Sequence, residues 1–280
     1  MFTPTGELIE RARAEGGAVG AFNVIMIEHA EAIVTGAERA GRPVILQISQ
    51  NAVKFHHGRL APIAAATRSI AEASTVPVAL HLDHVEDDDL LDQAAGNGFG
   101  SVMYDASKRP FDENVAATRA AAERCHASGL WVESELGEVG GKDGAHAPGV
   151  RTDPAEAAAY VTATGIDALA VAVGSSHAML TRTASLDHEL IARLRDAVPV
   201  PLVLHGSSGV PDDELVKAVR AGMVKVNIGT ALNTAFTGAA RAVLAGQPDL
   251  VDPRKYIAPA RDAMAAVVAD ALETLSAHSS

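Results

Sequence analysis

Short apolar runs alternate with longer alanine-rich segments along nearly the whole of this 280-residue chain, and this alternation constrains its fold more than any other feature. We predict strands at residues 18–22, 43–48, 77–82, 100–104, 130–135, 167–173, 201–204 and 223–227. Helices are predicted at 27–41, 60–74, 87–97, 112–128, 154–164, 187–197, 212–221 and 255–276. Strand–helix units of this length form parallel sheets, and about eight of them close into a barrel. The sequence therefore predicts an α/β fold, a single-domain (β/α)8 TIM barrel over residues 1–280 with an extra C-terminal helix.

The composition supports a folded core and excludes several classes of partner. Hydrophobic residues make up 48% of the chain and charged residues 21%, which is enough for a full core. The net charge of −12 argues against nucleic acid and anionic membrane surfaces as partners. No signal peptide or membrane-spanning run is visible, so we expect a cytoplasmic protein. The single cysteine, Cys125, is predicted to be a buried, inert thiol.

Three histidines follow three of the predicted strands. They are His84, His177 and His205, which come after the apolar runs at 77–82, 167–173 and 200–204. Because the functional groups of a parallel barrel lie at the C-terminal ends of its strands, this fold would gather the three imidazoles at one mouth. Three neutral imidazoles with an open fourth position make a catalytic zinc site. The sequence therefore predicts a metal-dependent enzyme.

Carboxylates occupy alternating positions in the predicted strands and should point into the barrel. His81 and Asp83 share the face opposite the leucines of their strand. Asp105, Glu133 and Glu135 are expected to point the same way. Carboxylates aimed into a barrel are costly unless a cation meets them. A metal centre and a set of salt bridges at the barrel rim would both satisfy this requirement, and the pattern leaves both open.

Three glycine-rich segments also follow predicted strands. Two of them, His-Gly-Ser-Ser-Gly at 205–209 and Asn-Ile-Gly-Thr at 227–230, come after the seventh and eighth strands. Loops at these positions commonly form a phosphate site in such barrels, with backbone N–H groups pointed at the anion. A simple turn is the alternative for each loop taken alone. The third segment, at 136–153, is predicted to be a mobile active-site loop.

An ordered set of motifs extends across nearly the whole chain. The motifs include Gly-Ala-Phe-Asn at 20–23, Pro-Val-Ile-Leu-Gln-Ile-Ser at 43–49, His-Leu-Asp-His at 81–84, Ser-Val-Met-Tyr-Asp-Ala-Ser at 101–107, Glu-Ser-Glu-Leu-Gly at 133–137, Gly-Ser-Ser-His at 174–177, Leu-His-Gly-Ser-Ser-Gly at 204–209, Lys-Val-Asn-Ile-Gly-Thr at 225–230 and Asp-Pro-Arg-Lys-Tyr at 252–256. Together they resemble class II, zinc-dependent ketose-bisphosphate aldolases of the fructose- and tagatose-bisphosphate type. The resemblance implies a lyase that reversibly cleaves fructose 1,6-bisphosphate or tagatose 1,6-bisphosphate to dihydroxyacetone phosphate and an aldehyde such as glyceraldehyde 3-phosphate.

The resemblance also implies a metal site and its neighbours. It implies that one catalytic Zn²⁺ is bound by the three histidines, and that Asp105 and Glu135 are associated with an alternative metal position. Asp83 matches the aspartate that exchanges a proton with the C4 oxygen. Asp143 lies where the family has the glutamate that exchanges the carbon-bound proton.

The same resemblance implies a substrate pocket and an assembly. The implied substrate-binding residues are Asn23, Ser49, Ala178, Gly206, Ser208, Asn227, Gly229 and Thr230. A monovalent cation, Na⁺ or K⁺, is implied as an aid to phosphate binding. A homodimer or homotetramer is the implied oligomeric state.

Three departures from the family pattern leave alternatives open. Asp143 is one methylene shorter than the usual glutamate, Ala178 replaces a glycine, and Asn51 replaces another glycine ahead of the unusual segment 54–57. A non-catalytic sugar-phosphate-binding barrel, an aldolase for another phosphorylated ketose and a zinc hydrolase are the alternatives. The sequence determines neither the stereochemistry at C4 nor the arginine that binds the distal phosphate, for which the candidates are Arg182, Arg254 and Arg261.

Overall fold

Eight parallel strands form a closed barrel in chain order, in which the last strand also pairs with the first. The strands are β1 (Val19–Asn23), β2 (Val44–Ser49), β3 (Val78–Val85), β4 (Ser101–Tyr104), β5 (Trp131–Glu135), β6 (Ala168–Ala170), β7 (Leu202–Leu204) and β8 (Met223–Ile228). The structure, a computed structural model, describes residues 1–136, 151–175 and 181–276. The predicted (β/α)8 TIM barrel is confirmed, and every predicted strand overlaps an observed one.

Helices surround the barrel on the outside. They are α1 (Thr5–Ala14), α2 (Ile27–Ala40), α3 (Gln50–Phe55), α4 (Leu60–Ala73), α5 (Asp88–Asp92), α6 (Phe111–Ala127), α7 (Pro154–Thr164), α8 (His188–Ala197), α9 (Asp212–Ala221), α10 (Thr230–Gly246) and α11 (Arg254–Ser276). The sequence patterns do not predict α1, α3 or α10. Within the described part of the chain, no helix combines the length and the apolar character that a bilayer crossing requires.

The helix α1 packs against the N-terminal end of the barrel. Its Leu8 and Ile9 belong to a buried apolar cluster with Val19 and Ile45 from the first two strands. Such packing of side chains within a barrel makes a solid core rather than a pore. The barrel is therefore closed at the N-terminal ends of its strands.

A layer of buried polar residues occupies the barrel interior. The Lys225 ammonium donates to Glu133 Oε2 over 2.7 Å, and neither side chain is exposed. His81 Nδ1 lies 2.8 Å from the Ser101 hydroxyl, and burial with the charge of Lys225 lowers the pKa of His81 well below its usual value. Glu133 thus meets a lysine inside the barrel, and because its other oxygen contacts His205, the structure leaves both alternatives open for this carboxylate.

An irregularity in β3 places two successive residues at the barrel mouth. Between the Leu82–Val102 pair and the Val85–Tyr104 pair, β3 has one more residue than β4, which is a β-bulge. Within this bulge His84 has a φ of 49°, a left-handed conformation that is uncommon for a residue other than glycine. Asp83 and His84 both line the cavity as a result, whereas a regular strand would send them to opposite faces.

Two further expectations concern Cys125 and the glycine-rich segment at 136–153. Cys125 is 3% exposed, and burial raises the pKa of its thiol to about 11, which confirms an inert thiol. Most of the segment, 137–150, lies outside the described residues. Its mobility, and the assignment of residues 1–280 to a single domain, stay predictions.

Candidate active site

A cavity of about 660 Å³ opens at the C-terminal ends of the strands. Its lining includes every predicted substrate-binding residue that the structure describes: Asn23, Ser49, Gly206, Ser208, Asn227, Gly229 and Thr230. Ala178, which is also predicted to bind substrate, lies outside the described residues. The barrel thus brings together positions that are more than 200 residues apart in the chain.

Asp83, His84 and His205 form a cluster at the floor of this cavity. One possible ligand atom from each residue lies within 4.8 Å of the others. His84 Nε2 and His205 Nδ1 face each other over 3.1 Å, and the two rings are nearly perpendicular at 81°. His177, the third predicted zinc ligand, lies outside the described residues, so its part in the cluster stays a prediction.

Buried neighbours fix the orientation of His205, which directly follows β7. Its Nε2 lies 2.8 Å from Glu133 Oε1, and the other oxygen of that carboxylate accepts from Lys225. A carboxylate can only accept, so a neutral His205 donates through Nε2 and directs the Nδ1 lone pair toward His84. Carboxylate–histidine pairs of this kind commonly orient metal ligands.

Asp105 orients His84 in the same way. His84 Nδ1 lies 2.9 Å from Asp105 Oδ2, so the neutral ring directs its Nε2 lone pair toward His205. The backbone N–H and hydroxyl of Ser107 both donate to Asp105 Oδ1, over 3.1 and 2.7 Å. Burial alone would raise the pKa of Asp105, but the hydrogen bonds from His84 and Ser107 hold it well below its usual value. In this structure Asp105 orients His84, and its association with an alternative metal position stays a prediction.

The electrostatics of the cluster favour an added positive charge. Burial alone would lower the pKa of His84, yet the charges of Asp83, Asp105 and Glu135 and the Asp105 hydrogen bond raise it to about 10. Burial raises the pKa of Asp83, whose Oδ1 has no hydrogen-bond partner in the described part of the chain. A buried carboxylate oxygen beside two convergent imidazole nitrogens fits a divalent cation, which would take the place of the proton on His84.

The predicted roles of the two other acidic residues, Glu135 and Asp143, are not tested by the structure. Glu135 is buried at the end of β5 and acts on His84 through its charge, but it is not part of the three-residue cluster. Asp143, the predicted carbon base, lies outside the described residues. Both assignments stay predictions.

The two glycine-rich loops after β7 and β8 form one wall of the cavity. Gly206 has a φ of 65°, and Ser208 accepts a hydrogen bond of 3.1 Å from the N–H of Ala231 in the first turn of α10. A Cβ at Gly229 would lie 2.9 Å from Asn23 Oδ1, so any larger residue here would displace the Asn23 side chain. The 17-residue helix α10 therefore begins at the cavity wall, and its N-terminus is directed toward the cavity. Such a helix end attracts anions.

None of the three candidate arginines lines the cavity. Arg182 binds Asp212 and the carbonyl of Val210, Arg254 binds Asp252, and Arg261 binds Glu31. Among the residues that the structure describes, the lysines and arginines in the cavity lining are Lys54 and Lys108.

Sequence reasoning missed the functional positions of Lys108 and Lys225. Lys225 shares its strand face with Asn227 in the motif at 225–230, and this alternation would have shown that it points inward. Lys108 directly follows the motif at 101–107, a position that sequence alone does not distinguish from an ordinary solvated loop.

Comparisons with known proteins agree with this geometry. Residues 3–280 match the family described as fructose-bisphosphate aldolase class-II. A fructose-bisphosphate aldolase from Geobacillus stearothermophilus is 40% identical over 265 residues, which cover 94% of this chain and 92% of that protein. A probable fructose-bisphosphate aldolase from Bacillus subtilis (strain 168) is 40% identical over 261 residues, 92% of each chain. Among solved structures, the YdjI aldolase from Escherichia coli K12 superposes with a TM-score of 0.85 at 31% identity, covering 98% of this chain and 97% of the other.

Proposed function

The chain belongs to the class II fructose-bisphosphate aldolase family, and from this premise we infer the part that each cavity residue plays in aldol cleavage of a ketose bisphosphate. The observation that carries the proposal is the convergence of Asp83, His84 and His205 at the floor of the cavity. The family implies a metal-dependent aldehyde-lyase, and the zinc ion and the individual residue roles are our proposal. Fructose 1,6-bisphosphate and tagatose 1,6-bisphosphate are the proposed substrates.

We propose that His84 Nε2 and His205 Nδ1 hold Zn²⁺ together with His177. Imidazole nitrogens suit zinc, and three protein ligands leave an open position for substrate. The hydrogen bonds from His84 to Asp105 and from His205 to Glu133 support this arrangement, because they turn the remaining ring nitrogens inward. When bound, the ion acts as a Lewis acid that draws electrons from the ketose carbonyl.

The wall formed by the β7 and β8 loops is proposed to bind the phosphate of the dihydroxyacetone phosphate half. Gly206 and Gly229 bring the backbone close to a ligand, and the start of α10 places the positive end of its helix dipole beside an anion bound there. Asn23, Ser49 and Asn227 line the same space and offer amide and hydroxyl groups to the sugar oxygens. Na⁺ or K⁺ beside this phosphate, and a contact from Ala178, belong to the same proposal and rest on the family resemblance.

Two carboxylates are proposed to move the protons. In cleavage, Asp83 takes the proton of the C4 hydroxyl while the C3–C4 bond breaks and its electron pair stays with the C3 fragment. Burial raises the pKa of Asp83, which helps it to hold this proton until the aldehyde leaves. Asp143 then delivers a proton to C3, and the product is dihydroxyacetone phosphate. Condensation follows the same steps in reverse.

The exchange of solvent deuterium into dihydroxyacetone phosphate tests this scheme without the correct aldehyde. Wild-type protein loaded with zinc should exchange, and a chelator should stop it. His205→Ala should lose both the metal and the exchange, because the cluster loses a ligand. Asp83→Ala should keep both but lower cleavage by about 10²- to 10⁴-fold, as expected for an acid–base residue.

His126→Ala is the matched control, because His126 is exposed and pairs with Asp167 outside the cavity. It should retain full activity and metal content. Stoichiometric zinc in His205→Ala, or unimpaired cleavage by Asp83→Ala, would contradict the proposed roles.

A homodimer or homotetramer is also proposed. Val251 is 89% exposed and Leu244 is 39% exposed, and α10 buries only Leu232 completely among its described side chains. Leu244 lies near the end of the alanine-rich α10 and Val251 lies in the loop that follows it, and neighbouring exposed apolar side chains of this kind support a subunit interface. Light scattering coupled to gel filtration tests this, and a monomer at micromolar concentration would contradict it.

A further inference from the structure

The cavity has a second end, which lies across the barrel from the proposed phosphate wall. In a closed barrel of eight strands in chain order, β3 lies opposite β7 and β4 lies opposite β8. A ketose held at the β7 and β8 loops, with its reacting carbons over Asp83 and His84, therefore extends toward the ends of β2, β3 and β4. The part of the substrate that becomes the aldehyde should meet the residues there.

Three charged side chains line this end of the cavity. Lys54 lies in α3 after β2, Glu86 directly follows β3, and Lys108 lies in the loop after β4. We call these three residues the distal rim. Lys108 Nζ lies 2.6 Å from Glu86 Oε1, although the side chains are 72% and 43% exposed. An exposed ion pair of this kind contributes little stability and exchanges partners readily.

The backbone of the distal rim is held by partly buried hydrogen bonds. Gln50 Oε1 accepts from the N–H groups of Glu86 and Asp87 over 2.9 and 3.1 Å. Ser107, next to Lys108, is fixed by its two hydrogen bonds to Asp105, the carboxylate that orients His84. The long side chains can therefore reorient while their attachment points keep a fixed position relative to the metal centre.

The charge of the distal rim is complementary to an anion. Lys54 and Lys108 supply two positive charges against the single negative charge of Glu86. The other acidic groups in the described lining, Asp83 and Asp105, belong to the metal centre. The candidate arginines at 182, 254 and 261 do not line the cavity of this chain.

We propose that Lys54 and Lys108 bind the distal phosphate of the ketose bisphosphate, with Lys108 leaving Glu86 for the phosphate when substrate enters. This inference rests on the proposed aldolase function and adds the residues that select a phosphorylated aldehyde. Glu86 weakens phosphate binding by competing for Lys108 and by repelling the dianion. Removal of its charge should therefore strengthen phosphate binding, whereas removal of a lysine should weaken it.

The test is the condensation of dihydroxyacetone phosphate with D-glyceraldehyde 3-phosphate or with D-glyceraldehyde. Condensation can be measured whatever the stereochemistry at C4, and the two aldehydes differ only in the distal phosphate. Lys54→Met and Lys108→Met should each lower kcat/KM for the phosphorylated aldehyde about tenfold, and the double variant about a hundredfold, as for lost charge-assisted contacts. Activity with D-glyceraldehyde should stay unchanged, and Glu86→Gln should lower KM for the phosphorylated aldehyde.

Lys217→Met is the matched control, because Lys217 is a half-exposed lysine that pairs with Asp213 and Glu214 on α9. It should leave both reactions unchanged. A double variant that loses activity equally with both aldehydes, or loses none, would overturn the role of the distal rim, as would a wild-type protein that does not discriminate between them. Deuterium exchange into dihydroxyacetone phosphate separates this failure from a failure of the proposed function: wild-type protein without exchange overturns both, whereas normal exchange confines the failure to the lysines.

Discussion

The β7–β8 wall and the distal rim line the same cavity with different chemical groups. The wall consists of glycine backbone at Gly206 and Gly229 and the start of α10, all held by short local contacts. The distal rim consists of long charged side chains, of which Lys108 is 72% exposed. Backbone groups present one fixed shape, whereas a lysine on a flexible stem can reorient or be replaced without any change in the fold. With the binding roles proposed above, the half of the substrate common to all aldol partners would be recognised rigidly and the variable half adaptably.

The largest effect is expected from a substitution beside the proposed metal centre, because activity at both ends of the cavity depends on it. Lys225→Met leaves the buried Glu133 carboxylate without its cation, which should destabilise the fold by about 3–5 kcal/mol. Because Glu133 also orients His205, zinc affinity should fall by about 10- to 100-fold, and turnover should fall equally with both aldehydes. Thermal unfolding and chelator competition measure the two effects.

A second substitution separates the effect of the uncompensated charge from the effect on the orientation of His205. Adding Glu133→Gln to Lys225→Met removes the uncompensated charge while keeping an acceptor for His205, so it should restore much of the lost stability. The exposed-lysine control, Lys217→Met, should change stability by less than about 0.5 kcal/mol. If Lys225→Met matched that control in stability and in zinc affinity, the buried pair would not position His205.

A smaller effect is expected from a substitution in the β7–β8 wall. Gly229→Ala would place its Cβ 2.9 Å from Asn23 Oδ1, which accepts a hydrogen bond of 2.8 Å from Gln47. Asn23 must shift, and misplacement at a substrate-binding wall should lower kcat/KM by about 10- to 100-fold. Unlike loss of a rim lysine, this loss should be the same with D-glyceraldehyde 3-phosphate and with D-glyceraldehyde.

Gly238→Ala, within the helix α10 that begins directly after Gly229, is the control for that substitution. A Cβ at Gly238 meets no atom within 4 Å, so the change should preserve activity and add about 0.5–1 kcal/mol of helix stability. Selective loss with the phosphorylated aldehyde in Gly229→Ala would show that the wall also recognises the distal end.

The smallest effect should come from the support of the distal rim. Gln50→Ala removes the acceptor for the N–H groups of Glu86 and Asp87 and should loosen this part of the rim. We expect discrimination between the two aldehydes to fall about two- to fivefold, since each of the two lost neutral hydrogen bonds contributes about 1 kcal/mol to stability and only part of their loss reaches the lysines. Gln50→Glu keeps an acceptor oxygen and should preserve more of the discrimination. Steady-state kinetics with D-glyceraldehyde 3-phosphate and with D-glyceraldehyde measures this discrimination. Equal losses of kcat/KM with both aldehydes would show that the role of Gln50 is not confined to the distal rim.

Most of the barrel can be predicted because its strands are buried on both faces and read as short apolar runs. The helices with alanine-rich amphipathic patterns between strands, such as α4 and α6, are predicted within a few residues. The helix α1 is not, because it precedes the first strand and packs against the end of the barrel rather than against its side. The helix α10 begins directly after a functional loop, and only one of its described residues is fully buried.

The site is predictable where a residue's role follows from its chemistry and its place at a strand end. His84, His205 and Asp83 meet as expected. Strict strand alternation, however, does not predict that Asp83 and His84 face the same way, because the bulge depends on pairing with β4. Nor does it predict the contact of Lys108 with Glu86, which joins loops 22 residues apart.

The bulge in β3 also determines how the site behaves when the protein moves. Asp83 and His84 are joined by one peptide bond, whose planar geometry keeps their Cα atoms about 3.8 Å apart. Thermal displacement of β3 therefore carries Asp83, the proposed proton-exchanging residue, and His84, the proposed metal ligand, together. Lys108 is attached to a different strand and follows its own motion. The spacing of the two backbone positions is thus set by covalent geometry, and it should persist in descendants of this chain whose outer helices have been repacked or whose aldehyde preference has changed.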